Sequence, residues 1–147
     1  MQVDFYQLTR DPAEKILPAL AAKIFADGGR LLVVSADNAQ LKQISAALWG
    51  YKTESFLAHA ISDQDAQDDA LQPILLATTT DPANRARFIA MTDGEWRDEA
   101  LGFDRAFYLF PPERTDDARA AWRKLGERED VTRNYWRQDG GRWVQGP

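Results

Sequence analysis

The stretch that decides the fold is LLVVSAD at positions 31–37, where four aliphatic residues run into a polar segment. A continuous apolar run of this length, with glycines before it, predicts a strand covered on both faces, as in parallel sheets. Asp37 and Gln40 form a capping box, which predicts a helix directly after the strand. The apolar stripe of this helix consists of Leu41, Ile44 and Leu48. A strand followed by an amphipathic helix is the repeating unit of a parallel α/β sheet.

The same alternation is found upstream of this unit. An aromatic, partly alternating segment at 3–8 predicts a first strand. Asp11 and Pro12 then predict a helix start, with the aspartate as cap, and Gly28-Gly29 predicts its end. Pro18 is expected to kink this helix or to delay its start.

Downstream, a polar, acid-rich loop is expected at 62–69, and apolar runs predict strands at 74–77, 88–91 and 107–110. Thr115 or Asp116 is expected to cap a helix that reaches about Arg128, and aromatic strand character follows at 135–144. The fold class predicted is α/β, with one domain over residues 1–147 and a mostly parallel sheet flanked by helices.

Composition restricts the class of protein. The chain has 147 residues, no cysteine and a single histidine, His59. These counts exclude disulfides, thiolate nucleophiles and two-histidine metal sites. No segment approaches the roughly 20 apolar residues of a membrane span. The N-terminus lacks the pattern of a secretory leader, which predicts a cytoplasmic protein.

Charge argues against nucleic acid as the direct ligand. The formal net charge is −5, although residues 105–147 hold nine basic against seven acidic side chains. Phosphate binding depends on clustered lysine and arginine, and so modest a surplus suits a short acidic peptide better than a duplex. A direct nucleic-acid binder is a third class of function, which predicts a steep salt dependence.

Motifs for nucleotide or covalent chemistry are absent from the sequence. Neither a G-x-x-x-x-G-K-[ST] loop nor a G-x-S-x-G elbow occurs, and Gly28-Gly29 precedes a strand instead of following one. No cofactor is therefore expected. Ser35 with His59 is a weak nucleophile and base pair. The better enzyme alternative uses Asp37 and Asp93 as strand-end carboxylates for Mg²⁺, although a helix cap and a turn explain them equally.

Two clusters have the character of binding surfaces. Arg119, Trp122 and Arg123 share one helix face, where guanidinium groups and an indole suit a peptide that ends in an aromatic residue and a carboxylate. Arg128 and Arg133 are candidates to extend this site. The alternative is that Trp122 points inward between ordinary solvated arginines.

The second cluster is aromatic. The cluster consists of Trp49, Phe56 and Leu57, which flank a helix end and the following loop, and aromatic residues are enriched at protein interfaces. The alternative is that they cover the sheet edge as part of the core, with His59 at the rim.

In this order, the segments resemble the chi subunit family of bacterial DNA polymerase III. They are Phe5-Tyr6, Ala47-Leu48-Trp49, Ser55-Phe56-Leu57-Ala58-His59, Gln72-Pro73-Ile74-Leu75-Leu76, Ala118-Arg119, Trp122-Arg123, Tyr135-Trp136 and Gly141-Arg142-Trp143. The resemblance implies a Rossmann-like sheet without a nucleotide-binding loop. It also implies a non-catalytic accessory of the clamp loader, which tethers the replicase to single-stranded-DNA-binding protein by the acidic, Phe-ending C-terminal tail of that protein.

The resemblance assigns Arg119, Trp122 and Arg123 to the tail. It assigns Trp49 and Phe56 to a partner, the psi subunit or another clamp-loader component. Direct contact with nucleic acid or membrane is not expected. Two positions depart from the family pattern: Thr115 stands one turn before Arg119, where some relatives carry a base, and Ala58 replaces a common proline.

Overall fold

The computed structural model describes residues 1–51, 57–62 and 66–146, and within them it shows an eight-stranded sheet with helices on both faces. The strands are β1 Gln2–Gln7, β2 Leu31–Val34, β3 His59–Ile61, β4 Ile74–Ala77, β5 Phe88–Met91, β6 Arg105–Phe110, β7 Thr132–Asp139 and β8 Arg142–Gln145. The helices are α1 Ala13–Ala26, α2 Asn38–Gly50, α3 Ala66–Leu71 and α4 Thr115–Gly126, with short 3-10 turns at Asp98–Gly102 and Pro112–Arg114.

The strand order is β3-β4-β2-β5-β6-β1-β7-β8, and every neighbouring pair is parallel except β7 with β8. Residues of α1 and α2 pack on one face of the sheet, and residues of α4 pack on the other. The predicted fold class, a mostly parallel α/β sheet flanked by helices, is confirmed. Strands β2 and β4 are buried along their whole length, as their uninterrupted apolar sequences predicted.

Local details differ from the sequence prediction at two helix starts. The N-cap of α1 is Pro12, and no side chain caps the helix there. Asp11, the predicted cap, instead accepts a hydrogen bond from Gln138. The hydroxyl of Thr115 donates to the Pro112 carbonyl in the preceding turn, so it does not cap α4. By contrast, Asp37 caps α2 as predicted and accepts from Ala39 N at 2.9 Å.

Three further details of the sequence prediction can be compared with the structure. The expected loop at 62–69 contains the start of α3, while 63–65 lie outside the described residues. Pro18 lies inside α1, which begins five residues before it and so is not delayed. Strand β7 begins at Thr132, three residues before the predicted aromatic segment, and places Arg133 within the sheet.

Candidate functional site

Helix α4 presents the predicted arginine pair to solvent. Its inward face is formed by Ala118, Ala121 and Leu125, which are buried against the sheet. Because Arg119 and Arg123 lie one turn apart and away from this inward face, both side chains are exposed. The structure therefore brings the two guanidinium groups onto the same side of the helix.

Trp122 lies between the arginines but is half-buried. Its indole makes edge contacts with Phe5 at 5.2 Å and with Tyr135 at 5.7 Å between ring centroids. The guanidinium of Arg133 lies 4.2 Å from the centre of the indole ring. Part of the Trp122 indole therefore points inward, as the alternative prediction had it, and the rest is exposed. Trp122 lies at the edge of the core, beside the two exposed arginines.

Some cations near α4 are paired with a neighbouring carboxylate. Arg114 pairs with Asp117 at 2.6 Å, and Lys124 pairs with Asp98 at 2.8 Å. The hydrogen bond from Lys124 is the main cause of the lowered pKa of Asp98. Four arginines of α4 and β7 have no carboxylate partner among the described residues: Arg119, Arg123, Arg133 and Arg137.

Arg128 differs from these four arginines. Its guanidinium pairs with Asp130 at 3.1 Å just beyond the end of α4, and this hydrogen bond lowers the pKa of the Asp130 carboxyl. Of the two candidates to extend the tail site, Arg128 is therefore neutralised locally. Arg133 instead lies against Trp122.

Strand β7 adds two residues that the sequence reasoning missed, Tyr135 and Arg137. Tyr135 is buried, and its hydroxyl donates to Gln7 Oε1 at 2.7 Å. Burial raises the pKa of this phenol, and the nearby charge of Arg119 partly opposes the rise. Arg137 is half-buried, and its Nε is a buried donor without an acceptor among the described residues. The alternation Arg133, Tyr135, Arg137 carried the signal, because alternate strand residues share a face.

Of the two predicted aromatic interface residues, Trp49 lies among the described residues and Phe56 does not. Trp49, at the end of α2, is 56% exposed, and its ring centroid lies 4.5 Å from that of His59. His59 is buried and not at the rim: its ring nitrogens lie 2.9 Å from Ser45 Oγ and 2.7 Å from Leu57 O.

The two aspartates of the enzyme alternative are both held by protein groups. Asp37 caps α2, while Asp93 receives two hydrogen bonds from Arg97, at 2.9 and 2.7 Å, and one from Ala36 N. Burial acts to raise the pKa of Asp93, but the hydrogen bonds from Arg97 and the backbone outweigh it and lower the pKa. No cluster of three or more metal-ligating side chains occurs in the described part of the chain.

The pair proposed as nucleophile and base is not brought together. Ser35 Oγ accepts from Asp37 N at 3.1 Å, whereas His59 meets Ser45, a residue of α2. This hydrogen bond ties α2 to the edge strand β3 beside Trp49.

The loop between β1 and α1 is closed by a side chain from β7. Gln138 Oε1 accepts hydrogen bonds from three successive backbone N–H groups, those of Thr9, Arg10 and Asp11, at 3.0 to 3.2 Å. In nucleotide-binding α/β proteins, N–H groups after the first strand hold a phosphate. Here the buried amide of Gln138 occupies those donors.

None of the helices within the described residues is long and apolar enough to cross a bilayer. The fold and these surfaces define a class of protein: a mostly parallel α/β protein without a glycine-rich phosphate loop. Its surface presents arginines that have no carboxylate partner among the described residues and that lie beside aromatic side chains.

The particular family follows from comparison with known proteins. The family model for the DNA polymerase III chi subunit, HolC, matches residues 1–131, and the chain belongs to this family, as the sequence resemblance indicated. A curated relative, DNA polymerase III subunit chi of Pseudomonas aeruginosa, is 30% identical over 86 residues. That match covers 56% of this chain and 58% of the relative's length. The family match ends before β7, so β7 and β8 lie beyond it.

Proposed function

We propose that this protein is a non-catalytic accessory subunit that tethers the replicase to single-stranded-DNA-binding protein by binding the acidic C-terminal tail of that protein. The observation that carries the proposal is the pair of exposed arginines, Arg119 and Arg123, on either side of Trp122 and without carboxylate partners among the described residues. A protein that binds the carboxylates of a partner needs arginines that are not already paired with carboxylates of its own chain.

The chemistry of these three side chains fits a tail that ends in phenylalanine. A guanidinium group takes a carboxylate through two parallel hydrogen bonds, which a lysine does not reproduce. The exposed part of Trp122 offers an apolar surface next to both charges, and an aromatic end group prefers such a surface. Charge and shape together favour a terminal phenylalanine over a generic acidic peptide.

The second partner in the proposal is another clamp-loader component, such as a psi subunit. Trp49 supports this part, because a large aromatic ring that is 56% exposed at a helix end is typical of an interface anchor. Its ring contacts buried His59 at 4.5 Å between ring centroids, which holds the indole at the end of α2.

Protein tails are favoured over bare nucleic acid as the direct ligand. The net charge is −5, and α4 and β7 together hold only four arginines without described carboxylate partners. So small a patch neutralises few phosphates, and an acidic protein with few phosphate contacts is expected to bind bare DNA only weakly. The enzyme alternative is less favoured, since Asp37 and Asp93 are occupied by backbone and arginine donors.

Titration with a peptide that copies the tail of the host's own single-stranded-DNA-binding protein tests the proposal. We expect saturable binding that weakens when the final phenylalanine is removed and when salt is added. The double variant Arg119→Ala, Arg123→Ala should bind at least about tenfold more weakly, since each loses a charge-assisted hydrogen bond. Arg87→Ala is the matched control, because Arg87 lies near the amino end of β5 and pairs with Asp104. Unchanged affinity in a folded double variant would overturn the proposed site.

A further inference from the structure

The surface beside Trp122 has two sides, and only one of them belongs to the part of the chain that matches the family. Helix α4 supplies Arg119 and Arg123 within residues 1–131. Strand β7, beyond that match, supplies Arg133 and Arg137 on either side of Tyr135. We call these three β7 residues the β7 row.

Sheet geometry fixes the spacing of the β7 row. Tyr135 pairs in register with Phe5, and Arg137 pairs with Gln7, so the row lies on the same face of the sheet as α4, with Arg133 and Arg137 both half-buried. A parallel strand rises about 3.3 Å per residue, which places the backbone of Arg133 about 13 Å from that of Arg137. Arg119 and Arg123 are only about 6 Å apart along their helix.

The β7 arginines have unused donors. Arg133 donates one N–H to the Trp122 carbonyl at 2.6 Å and has no carboxylate partner among the described residues. Arg137 Nε is buried and has no acceptor in the described part of the chain. The Arg137 side chain as a whole is only half-buried and has no carboxylate partner among the described residues, so the rest of its guanidinium can donate charge-assisted hydrogen bonds to a ligand.

We infer that the β7 row is a second binding element for an extended acidic peptide and takes side-chain carboxylates that lie four residues apart. The inference rests on the proposed function, and it adds a site outside the family match. Successive residues of an extended peptide are spaced at nearly the same distance as those of a β-strand. Aspartates at positions i and i+4 of the peptide are therefore about as far apart as Arg133 and Arg137. The arginines of α4 remain available to the terminal carboxylate.

Fluorescence anisotropy with two labelled synthetic peptides tests this inference. Both peptides carry two aspartates and a terminal phenylalanine, but the aspartates are four residues apart in one and adjacent in the other. We expect the wild type to prefer the spaced peptide. Arg137→Gln should weaken the spaced peptide by about tenfold, as expected for a lost charge-assisted hydrogen bond, and should abolish the preference.

Arg87→Gln is the matched control, because it removes the same charge at a position separated from β7 by strands β6 and β1. Equal affinity of the wild type for both peptides overturns the inference, as does an unaltered preference in folded Arg137→Gln. If Arg137→Gln fails to fold, the preference of the wild type decides alone. Equal Arg137 dependence for a bare oligothymidine would also overturn the assignment to an acidic peptide.

The proposed function fails in a different way. If neither peptide binds the wild type, the tail-binding proposal itself is wrong. If the wild type binds and Arg119→Gln weakens it while Arg137→Gln does not, only the β7 row is excluded.

Discussion

The guanidinium of Arg133 lies over the indole of Trp122, 4.2 Å from the ring centre, and its Nη1 donates to the carbonyl of the same tryptophan at 2.6 Å. One arginine of β7 thus holds both the ring and the backbone of the last turns of α4. The position of Gly126 makes room for it, since a Cβ at 126 would lie 2.7 Å from Arg133 Nη1.

This contact predicts an unusual response to alanine at Gly126. Replacement of glycine by alanine in a helix normally stabilises it by up to about 1 kcal/mol. We expect Gly126→Ala to give no such gain in the free energy of unfolding by urea, because Arg133 must leave its site. Gly50→Ala is the matched control at the end of α2, where an added Cβ meets no atom of the described residues within 4 Å. Equal stabilisation by the two substitutions would show that Arg133 moves away without cost.

Charge-conserving substitutions separate geometry from charge at the tail site. Arg119→Lys or Arg123→Lys keeps the positive charge but loses the two-pronged guanidinium. Each should still lose about 1 kcal/mol of tail-binding free energy, within the range for charge-assisted hydrogen bonds. Isothermal titration calorimetry at two salt concentrations, with Arg87→Lys as control, measures this loss. Full affinity in both lysine variants would indicate a site that responds to charge alone.

Gln138 is expected to stabilise the fold through one oxygen atom. Gln138→Ala leaves three N–H groups of the β1–α1 loop without their acceptor, and we expect a loss of about 2–3 kcal/mol in the free energy of unfolding. Gln145→Ala, on the exposed edge strand β8, should change it by less than about 0.5 kcal/mol. Gln138→Glu restores an acceptor but sets a second carboxylate beside Asp11, so it should recover only part of the loss. A neutral Gln138→Ala would show that the loop does not depend on this amide.

Asp93 links protonation to stability. Its pKa is lowered in the folded state, so its contribution is fully present above the ordinary pKa of an aspartate and is lost as the pH falls through the lower, folded-state pKa. Asp93→Asn should therefore destabilise the protein by about 1.5–3 kcal/mol near pH 7, and by progressively less as the pH falls through the lower, folded-state pKa. Chemical denaturation across this range, with exposed Asp104→Asn as control, measures the difference. A destabilisation that is the same at neutral and at acidic pH would contradict the linkage.

Local patterns predicted most of the sheet and only part of the site. The run at 31–34 specified a buried strand, and the cap at Asp37 was confirmed, because both depend on neighbours in sequence. The helical spacing of Arg119, Trp122 and Arg123 likewise needed no tertiary information. The hydrogen bond between Gln138 and Asp11 could not be predicted from local patterns, because it joins residues 127 positions apart.

The half-buried state of Trp122 shows the same limit. Its spacing placed it between two arginines, but the contacts that turn part of the indole inward come from Phe5 and Tyr135 on two other strands. Similarly, the pairing of Arg128 with Asp130, which neutralises one candidate of the tail site, depends on how the chain bends after α4. Charge counting along the sequence does not show which arginines remain without a carboxylate partner.

The last prediction distinguishes an interface from a core at the end of α2, where two adjacent residues have opposite environments. Leu48 is fully buried, and Trp49 is 56% exposed. Leu48→Ala should lower the free energy of unfolding by about 2–5 kcal/mol, as for other buried leucines. Trp49→Ala should cost less than about 1.5 kcal/mol, because only its contact side is buried.

If Trp49 anchors a partner subunit, Trp49→Ala should affect partner binding strongly although it affects stability little. Trp49→Ala should weaken capture of purified clamp-loader components by at least about 2 kcal/mol, the threshold of an interface hot spot. Surface plasmon resonance with the folded variant measures this loss, and Phe25→Ala, an exposed aromatic on α1, is the control. If Trp49→Ala unfolds the domain as Leu48→Ala does, Trp49 belongs to the core. If it folds and binds like the wild type, the partner surface lies elsewhere on the protein.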